Sequence, residues 1–272
     1  MSQKKPTHTP KDSHYARLRR QHRDRTVEAV GPDEGLVHLY GLHTVRAAIQ
    51  NPRRSIRRLM VTRNALARLE LDEAGGLPFP VEMVEPKEID RLTGADAVHQ
   101  GVLAEAEPLE PKRLTALGDT RLVLVLDQVT DPHNVGAIMR SAVAFGAGAL
   151  VTTARHSPSE SGVLAKAASG ALEHIDHLQA RNLADALREL SEAGFQTVGL
   201  DSEGPDVLED SLAGERIALV LGAEGKGLRQ KTRETVDRLA RLDLDGAIRS
   251  LNVSNAAAVA MYAARRHLAA IG

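Results

Sequence analysis

With 272 residues and no cysteine, the chain is long enough for two ordinary domains and a substantial core, and disulfides, thiolate zinc sites and thiol nucleophiles are excluded. No apolar run approaches bilayer length and the first residues hold no apolar h-region, so neither membrane insertion nor Sec export is supported and a soluble, cytoplasmic protein is expected. The net charge of −1 hides an asymmetry: residues 1–25 carry eight Lys or Arg against Asp12 and Asp24, which leaves this end six charges positive and the remainder seven negative.

Residues 1–34 therefore read as a basic, disordered tail, either drawn to polyanions or simply solubilising. Aromatic residues are scarce and tryptophan is absent, so nucleic acid would be held by charge and hydrogen bonds rather than on stacking platforms. HLYGLHTVRAAIQNPRRSIRRLMVT (38–62) predicts a helix start, a helix, a turn at Asn51-Pro52 and a strand, with Arg53, Arg54, Arg57 and Arg58 clustered where the strand begins. ALARLELDEAGG (65–76) predicts a helix stopped by a glycine pair, PVEMVEP (80–86) a strand, KEIDRLTG a short helix closed by Gly94, and HQGVLAEAEP (99–108) a strand. Together, residues 35–106 form a compact α/β domain, and the charged, proline-containing segment 107–120 reads as a linker.

From Arg121 the units lengthen. LVLVL (122–126) suits a strand buried on both faces, and the helix after it takes Asp131 as N-cap, Pro132 at its first position and a stop at Gly146 and Gly148. ALVTT (149–153) is a strand and Val163–Leu172 a helix of small residues. NLADALRELSEAG, FQTVGLD, RIALVLGAEGKG and the stretch 241–266 continue the alternation, which predicts a parallel sheet covered by helices over 121–272.

Three strand-to-helix turns concentrate polar groups. DPHNVGAIMR (131–140) carries Asn134 in the first helical turn and Arg140 further on, a five-donor cation suited to a phosphate or oxyanion. GAEGKGL (222–228) lets backbone amides approach a ligand and adds Glu224; it matches neither a P-loop nor GxGxxG, and a plain tight turn is its other reading. RLDLDGAIRSLNVSNAAAVAMYAARR (241–266) packs Ser250, Asn252, Ser254 and Asn255 ahead of an Ala-rich helix, more than a cap requires. All three turns fall at the carboxyl ends of presumed parallel strands, where open α/β sheets bind ligands. His174 and His177 have no third or fourth ligand at a recognisable spacing, so no metal is predicted and they read as solvated or interfacial. Ser157, Ser159 and Ser161 lack a nucleophile-elbow pattern.

LDQVTDPHNVGAIMRSAVAFG, LVLGAEGKGL and LDLDGAIRSLNVSNAAAVAMY resemble the three ordered motifs of the SpoU (TrmH-type) branch of the SPOUT RNA 2′-O-ribose methyltransferases. KAASGALEH (166–174) is similar to the motif between the first two, and residues 38–108 are similar to the small RNA-binding domain, related to a ribosomal-protein fold, that precedes the catalytic domain in the RlmB-like subgroup. The resemblance implies a trefoil-knotted α/β catalytic domain, a homodimer and S-adenosyl-L-methionine as methyl donor. It implies transfer to the ribose 2′-hydroxyl of a guanosine in 23S rRNA, with no DNA or membrane partner. By motif, Asn134, Arg140, Glu224, Ser250 and Asn252 fall on catalytic and RNA-contacting positions, and Gly222, Leu242 and Leu251 on donor-binding ones. Where the family commonly has Pro-Met after the Leu242 position, this chain has Asp243-Leu244. Two other readings stay open: a tRNA ribose methyltransferase, against which the added RNA-binding domain argues, and a non-catalytic ribosome-assembly factor, which would need no donor pocket.

Overall fold

A computed structural model describes residues 31–71, 76–155, 157–248 and 250–272, so the basic tail expected over 1–34 lies outside the described residues up to residue 30. The amino-terminal part is a four-stranded sheet in the order β1-β4-β2-β3, built from β1 (Val37–Tyr40), β2 (Ile56–Val61), β3 (Val81–Met83) and β4 (Val102–Ala106). Strand β4 runs antiparallel to β1 and β2, and β3 runs parallel to β2. Helices α1 (Leu42–Gln50), α2 (Arg63–Leu69) and α3 (Pro86–Thr93) complete it. Ile89 of α3 closes over Met60 and Leu103, while Val45, Ala48 and Leu69 pack with Leu39, Leu59 and Val61.

Two expectations need correction in this part. β1 occupies residues predicted as a helix start, because all four of its residues are buried and the apolar–polar alternation that marks a half-exposed strand is missing. Its polar member, His38, is satisfied inside by Glu105 at 3.2 Å, and Gly41 at φ +92° turns the chain from strand to helix. The helix predicted over 65–76 stops at Leu69, where Glu70 adopts a left-handed φ of +48° before the glycine pair is reached.

The carboxyl-terminal part is a seven-stranded parallel sheet in the order β7-β6-β5-β10-β8-β11-β9. Its strands are β5 (Leu122–Asp127), β6 (Ala149–Thr153), β7 (Asp176–Ala180), β8 (Gln196–Leu200), β9 (Asp206–Val207), β10 (Ile217–Gly222) and β11 (Arg238–Arg241). The period-two geometry of strands divides each central strand between two cores. Leu122, Leu124 and Leu126 of β5, with Ile217, Leu219 and Leu221 of β10, face helices α4 (Pro132–Ala144), α5 (Gly162–Ala168) and α9 (Val253–Ala270). Val123, Val125, Ala218 and Val220 face α6 (Leu183–Glu192) on the other side. Short helices α7 (Leu208–Ser211) and α8 (Gln230–Thr235) fill the remaining connections.

The helix predicted over Val163–Leu172 is divided, because Ser169 and Gly170 take φ of +51° and +95° and a 3-10 turn follows at Ala171–Glu173. β7 was not anticipated: it is an edge strand on which only Leu178 and Ala180 are buried, too few to make a pattern. The segment 107–120 lies along it, with Lys112 N donating to His177 O at 2.8 Å and Gln179 N donating back to Lys112 O at 2.9 Å.

The two sheets share one core cluster, and a charged clamp fastens them. The Arg54 guanidinium, with its side chain fully buried, reaches Glu160 at 2.6 Å and Glu173 through Nε at 3.1 Å. Asn51 also donates to Glu173 at 2.6 Å, and Leu109 N donates to Glu160 at 2.8 Å. The arginine cluster of the sequence is thus largely neutralised by local carboxylates, since Arg58 pairs with Glu105 and Arg57 with Glu107. Gly162 is required where β1 crosses α5, because a Cβ there would stand 2.4 Å from His38 O. Replacing Arg54 with alanine strands two buried carboxylates, a change that costs about 3–5 kcal/mol. The expected result is a matching fall in denaturant-unfolding stability, and an unchanged midpoint would contradict it.

Candidate functional site

The sheet order reverses at the β5–β10 boundary: the chain runs outward from β5 to β6 and β7 on one side, then builds β8, β10 and β11 on the other. Ligand crevices of open α/β sheets open at such a switch point, beyond the carboxyl ends of the strands. Three chain segments converge there. After β5, Asp131 caps α4 by accepting from His133 N at 3.1 Å, which sets Asn134 in the first turn. After β10, the chain folds back at 222–228, with Gly227 N donating to Ala223 O at 2.8 Å and Gly225 and Gly227 at positive φ. A Cβ on Gly222 would lie 2.1 Å from the Gly227 carbonyl carbon, so this tight turn exists only with glycine there. After β11, Asn252 caps α9 by accepting from Ser254 N at 2.9 Å, and Ser254 Oγ donates to the same oxygen at 2.6 Å.

Glu224 ties the three together. One of its carboxylate oxygens accepts from Asn134 Nδ2 at 3.3 Å, from Asn252 Nδ2 and from Val253 N at 3.3 Å. Asn252 Nδ2 also approaches Asn134 Oδ1 at 3.0 Å. A single carboxylate gathering three donors, one of them at the start of an 18-residue helix, holds the amide side chains in fixed orientation. A second tie lies beneath. Asp127, fully buried at the end of β5, accepts from Arg229 N at 2.9 Å, Arg229 Nε at 2.6 Å and Thr232 Oγ1 at 2.7 Å, which anchors the far end of the 222–228 turn.

Beside Glu224 lie two adjoining cavities of about 630 and 230 Å³, which share walls at Leu200, Ser202, Ser250, Leu251 and Ala256. The larger adds Leu221, Gly222, Glu224 and Asn252; the smaller adds Leu242, Asp243 and Leu244. Of the eight residues singled out in the sequence, the structure therefore gathers Gly222, Glu224, Leu242, Ser250, Leu251 and Asn252 around one crevice and links Asn134 to it through Glu224. Arg140 stands apart. Six residues beyond Asn134, it lies about 9 Å further along α4 and about 240° around it. It is exposed and forms no hydrogen bond or ion pair among the described residues. Leu200 and Ser202 also line the crevice and are not singled out by the sequence: FQTVGLD ends at the same strand edge as the other turns but carries no comparable polar cluster.

The remaining candidates lie elsewhere. His174 is exposed, whereas His177 sits on β7 with its Nε2 at 2.8 Å from Thr152 Oγ1. Burial lowers the His177 pKa below its ordinary 6.5. The unfolded chain thus takes up a proton near pH 6.5 that the native imidazole refuses, so the stability it contributes is full above pH 6.5 and is lost as pH falls from there through the lower native pKa. Urea unfolding at pH 7.5 and 5.5 is expected to show this loss, and His177→Gln to reduce it; equal pH dependence in both proteins would contradict it. Among the described residues no group of His, Asp or Glu is placed to hold a metal ion, and no helix is long and apolar enough to cross a membrane.

The sequence profile of the SpoU rRNA Methylase family matches residues 121–262, more than half of the chain and all three converging segments. The chain belongs to the SpoU rRNA methylase family. In this SpoU methylase, residues 38–112 also match the family described as RNA 2'-O ribose methyltransferase substrate binding. A relative from Ralstonia nicotianae, the 23S rRNA (guanosine-2'-O-)-methyltransferase RlmB, is 39% identical over 240 residues, covering 84% of this chain and 94% of its own. The protein of the same name from Pseudomonas putida is 36% identical over 242 residues, covering 85% and 96%. Among solved structures, the SpoU methyltransferase AviRb from Streptomyces viridochromogenes, in complex with the cofactor AdoMet, shares the fold of this SpoU methylase. It gives a TM-score of 0.71 over 86% of this chain and 90% of that one, at 22% identity.

Proposed function

We propose that this protein transfers a methyl group from S-adenosyl-L-methionine to the ribose 2′-hydroxyl of a guanosine in 23S rRNA. The observation that carries the reading is the convergence of the three SpoU segments on Glu224, beside a crevice that suits the donor. Its walls offer apolar surface from Leu200, Leu221 and Leu251 with backbone from the 222–225 turn, and its volume lies in the range of small-molecule sites. When bound, S-adenosyl-L-methionine supplies a methyl group on a cationic sulfonium. Gly222, Leu242 and Leu251 hold it, the glycine by letting the turn close and the leucines by flanking its apolar parts. Gly222→Ala is therefore expected to abolish measurable donor binding in calorimetry while the protein still unfolds cooperatively; wild-type affinity would contradict this role.

On the ribose side, Asn134, Ser250 and Asn252 offer amide and hydroxyl groups that fix the sugar, and Glu224 fixes two of them. Holding the reactants aligned accounts for much of the rate. Arg140, a cation with five donors, serves by stabilising the alkoxide while the hydroxyl proton passes to water, or by gripping the neighbouring phosphate.

A homodimer belongs to the same reading. Its support is exposed apolar surface on α9, where Val259 and Tyr262 are 45% and 57% exposed and the Tyr262 ring lies 6.2 Å from that of Phe145 at the end of α4. A partner covering that surface would also meet the unpaired face of α4 that carries Arg140. The trefoil-knotted path is part of this reading too, and rests on the resemblance to the SpoU motifs. Such an enzyme works in the cytoplasm, where its RNA is made. The test is a titration with S-adenosyl-L-methionine followed by labelled methyl transfer to 23S rRNA: saturable binding and 2′-O-methylguanosine are expected. Absence of donor binding would leave a non-catalytic RNA-binding factor.

A further inference from the structure

The carboxyl edge of the parallel sheet carries a separate cavity on its opposite face, about 380 Å³ in volume. Thr153 at the end of β6, Arg155 just after it, Arg181 and Asn182 after β7, and Arg229 and Lys231 at the start of α8 form its polar walls. Arg229 already has Asp127 as its counterion. Arg155, Arg181 and Lys231 are exposed and form no ion pair among the described residues, so three full positive charges surround the opening. Among those residues no carboxylate lines it.

Two further observations point to an anion. Thr153 lines the cavity and is only 5% exposed, and its Oγ1 is buried there without a hydrogen-bond partner, a polar atom left unsatisfied at the cavity wall. The ten-residue helix α6 begins at the same wall, with Leu183 and Ala184 of its first turn lining the cavity. Asn182 occupies one first-turn amide, Ala184 N, at 2.9 Å, and the other orphan amides of that turn remain for a ligand. The acid of that turn, Asp185, is engaged by Arg188.

We propose that this cavity seats a backbone phosphate of the RNA substrate, separate from the donor crevice. Glu224 of the proposed catalytic cluster and Arg229 of this cavity belong to one β10–α8 connection, and five residues of chain span at most about 18 Å. The phosphate held here therefore lies within a short stretch of strand from the methylated ribose. Hydrogen-bond donors and cations without base-reading acceptors position the strand and carry no sequence preference. This inference rests on the methyl-transfer reading above, and free phosphate presents the same chemistry.

The test compares the wild-type protein with the double variant Arg155→Ala/Arg181→Ala and, separately, with Thr153→Val, using a 23S rRNA transcript and inorganic phosphate as probes. In the double variant RNA binding is expected to weaken about tenfold at about 0.1 M salt. The slope of log K against log salt is expected to become shallower by about one for the lost phosphate contact. The KM for RNA rises while kcat and donor affinity stay at wild-type values, and Thr153→Val shifts KM in the same direction. An unchanged salt slope and KM in the double variant would overturn the proposal. So would tight inorganic phosphate binding that both sets of substitutions abolish with RNA affinity untouched, the mark of a free-anion site. Failure of the wild-type protein to bind donor or methylate RNA would instead sink the enzymatic reading, and the salt slopes, which need no turnover, keep the two failures apart.

Discussion

Glu224→Gln is expected to lower the kcat of methyl transfer about 10²-fold while leaving the protein folded. The carboxylate takes three hydrogen bonds, from Asn134, Asn252 and the Val253 amide, and these join segments 28 and 90 residues apart in sequence. Glutamine keeps an oxygen but loses the charge, and its amide group confronts donors that need an acceptor. Charge-assisted hydrogen bonds are roughly twice as strong as neutral ones, so the cluster loosens. A displacement of about 1 Å in a positioning group is enough for a 10²-fold loss. The fold survives because Glu224 is exposed and because Asn252 still caps α9 through Ser254. Single-turnover methyl transfer with parallel donor titration checks this: turnover falls far more than donor affinity. Equal losses in both would move Glu224 from the ribose side of the site to the donor side.

Arg140→Lys is expected to cost about 10²- to 10³-fold in turnover, the scale seen when one oxyanion-stabilising donor is removed. Lysine keeps the charge but not the planar five-donor fork that can hold an alkoxide and a phosphate together. Because Arg140 is exposed and unpaired among the described residues, its replacement disturbs nothing in the fold, and the unfolding midpoint should remain that of the wild type. Donor affinity should remain as well, since Arg140 lines neither of the two cavities proposed for the donor. Wild-type turnover in Arg140→Lys would remove this residue from the chemistry.

The sequence was most legible where burial is two-sided or where local chemistry dictates the turn. LVLVL and IALVL are apolar throughout because each feeds two cores, and Asp131-Pro132 announces its helix with a cap and a preset φ. β1 and β7 escaped for opposite reasons: the first is buried on every residue, the second on only two. Within the site, Glu224 stands out in a turn after an apolar strand, and Ser250 and Asn252 stand out in the polar cluster that precedes an Ala-rich helix. Leu200 and Ser202 do not, because an ordinary strand end carries no chemical mark. The bonds from Glu224 to Asn134 and Asn252 are tertiary facts that no local pattern encodes. Arg140 shows the reverse limit: a motif resemblance singles it out for the proposed chemistry, and among the described residues it has no hydrogen-bond or ion-pair partner.

Mapping ribose 2′-O-methylation across rRNA and tRNA from cells with and without the gene shows whether this SpoU methylase modifies a guanosine ribose in 23S rRNA. The account predicts loss of one 2′-O-methylguanosine in 23S rRNA, restored by the wild-type gene and not by one encoding Arg140→Lys. A lost tRNA mark with 23S rRNA unchanged would contradict it.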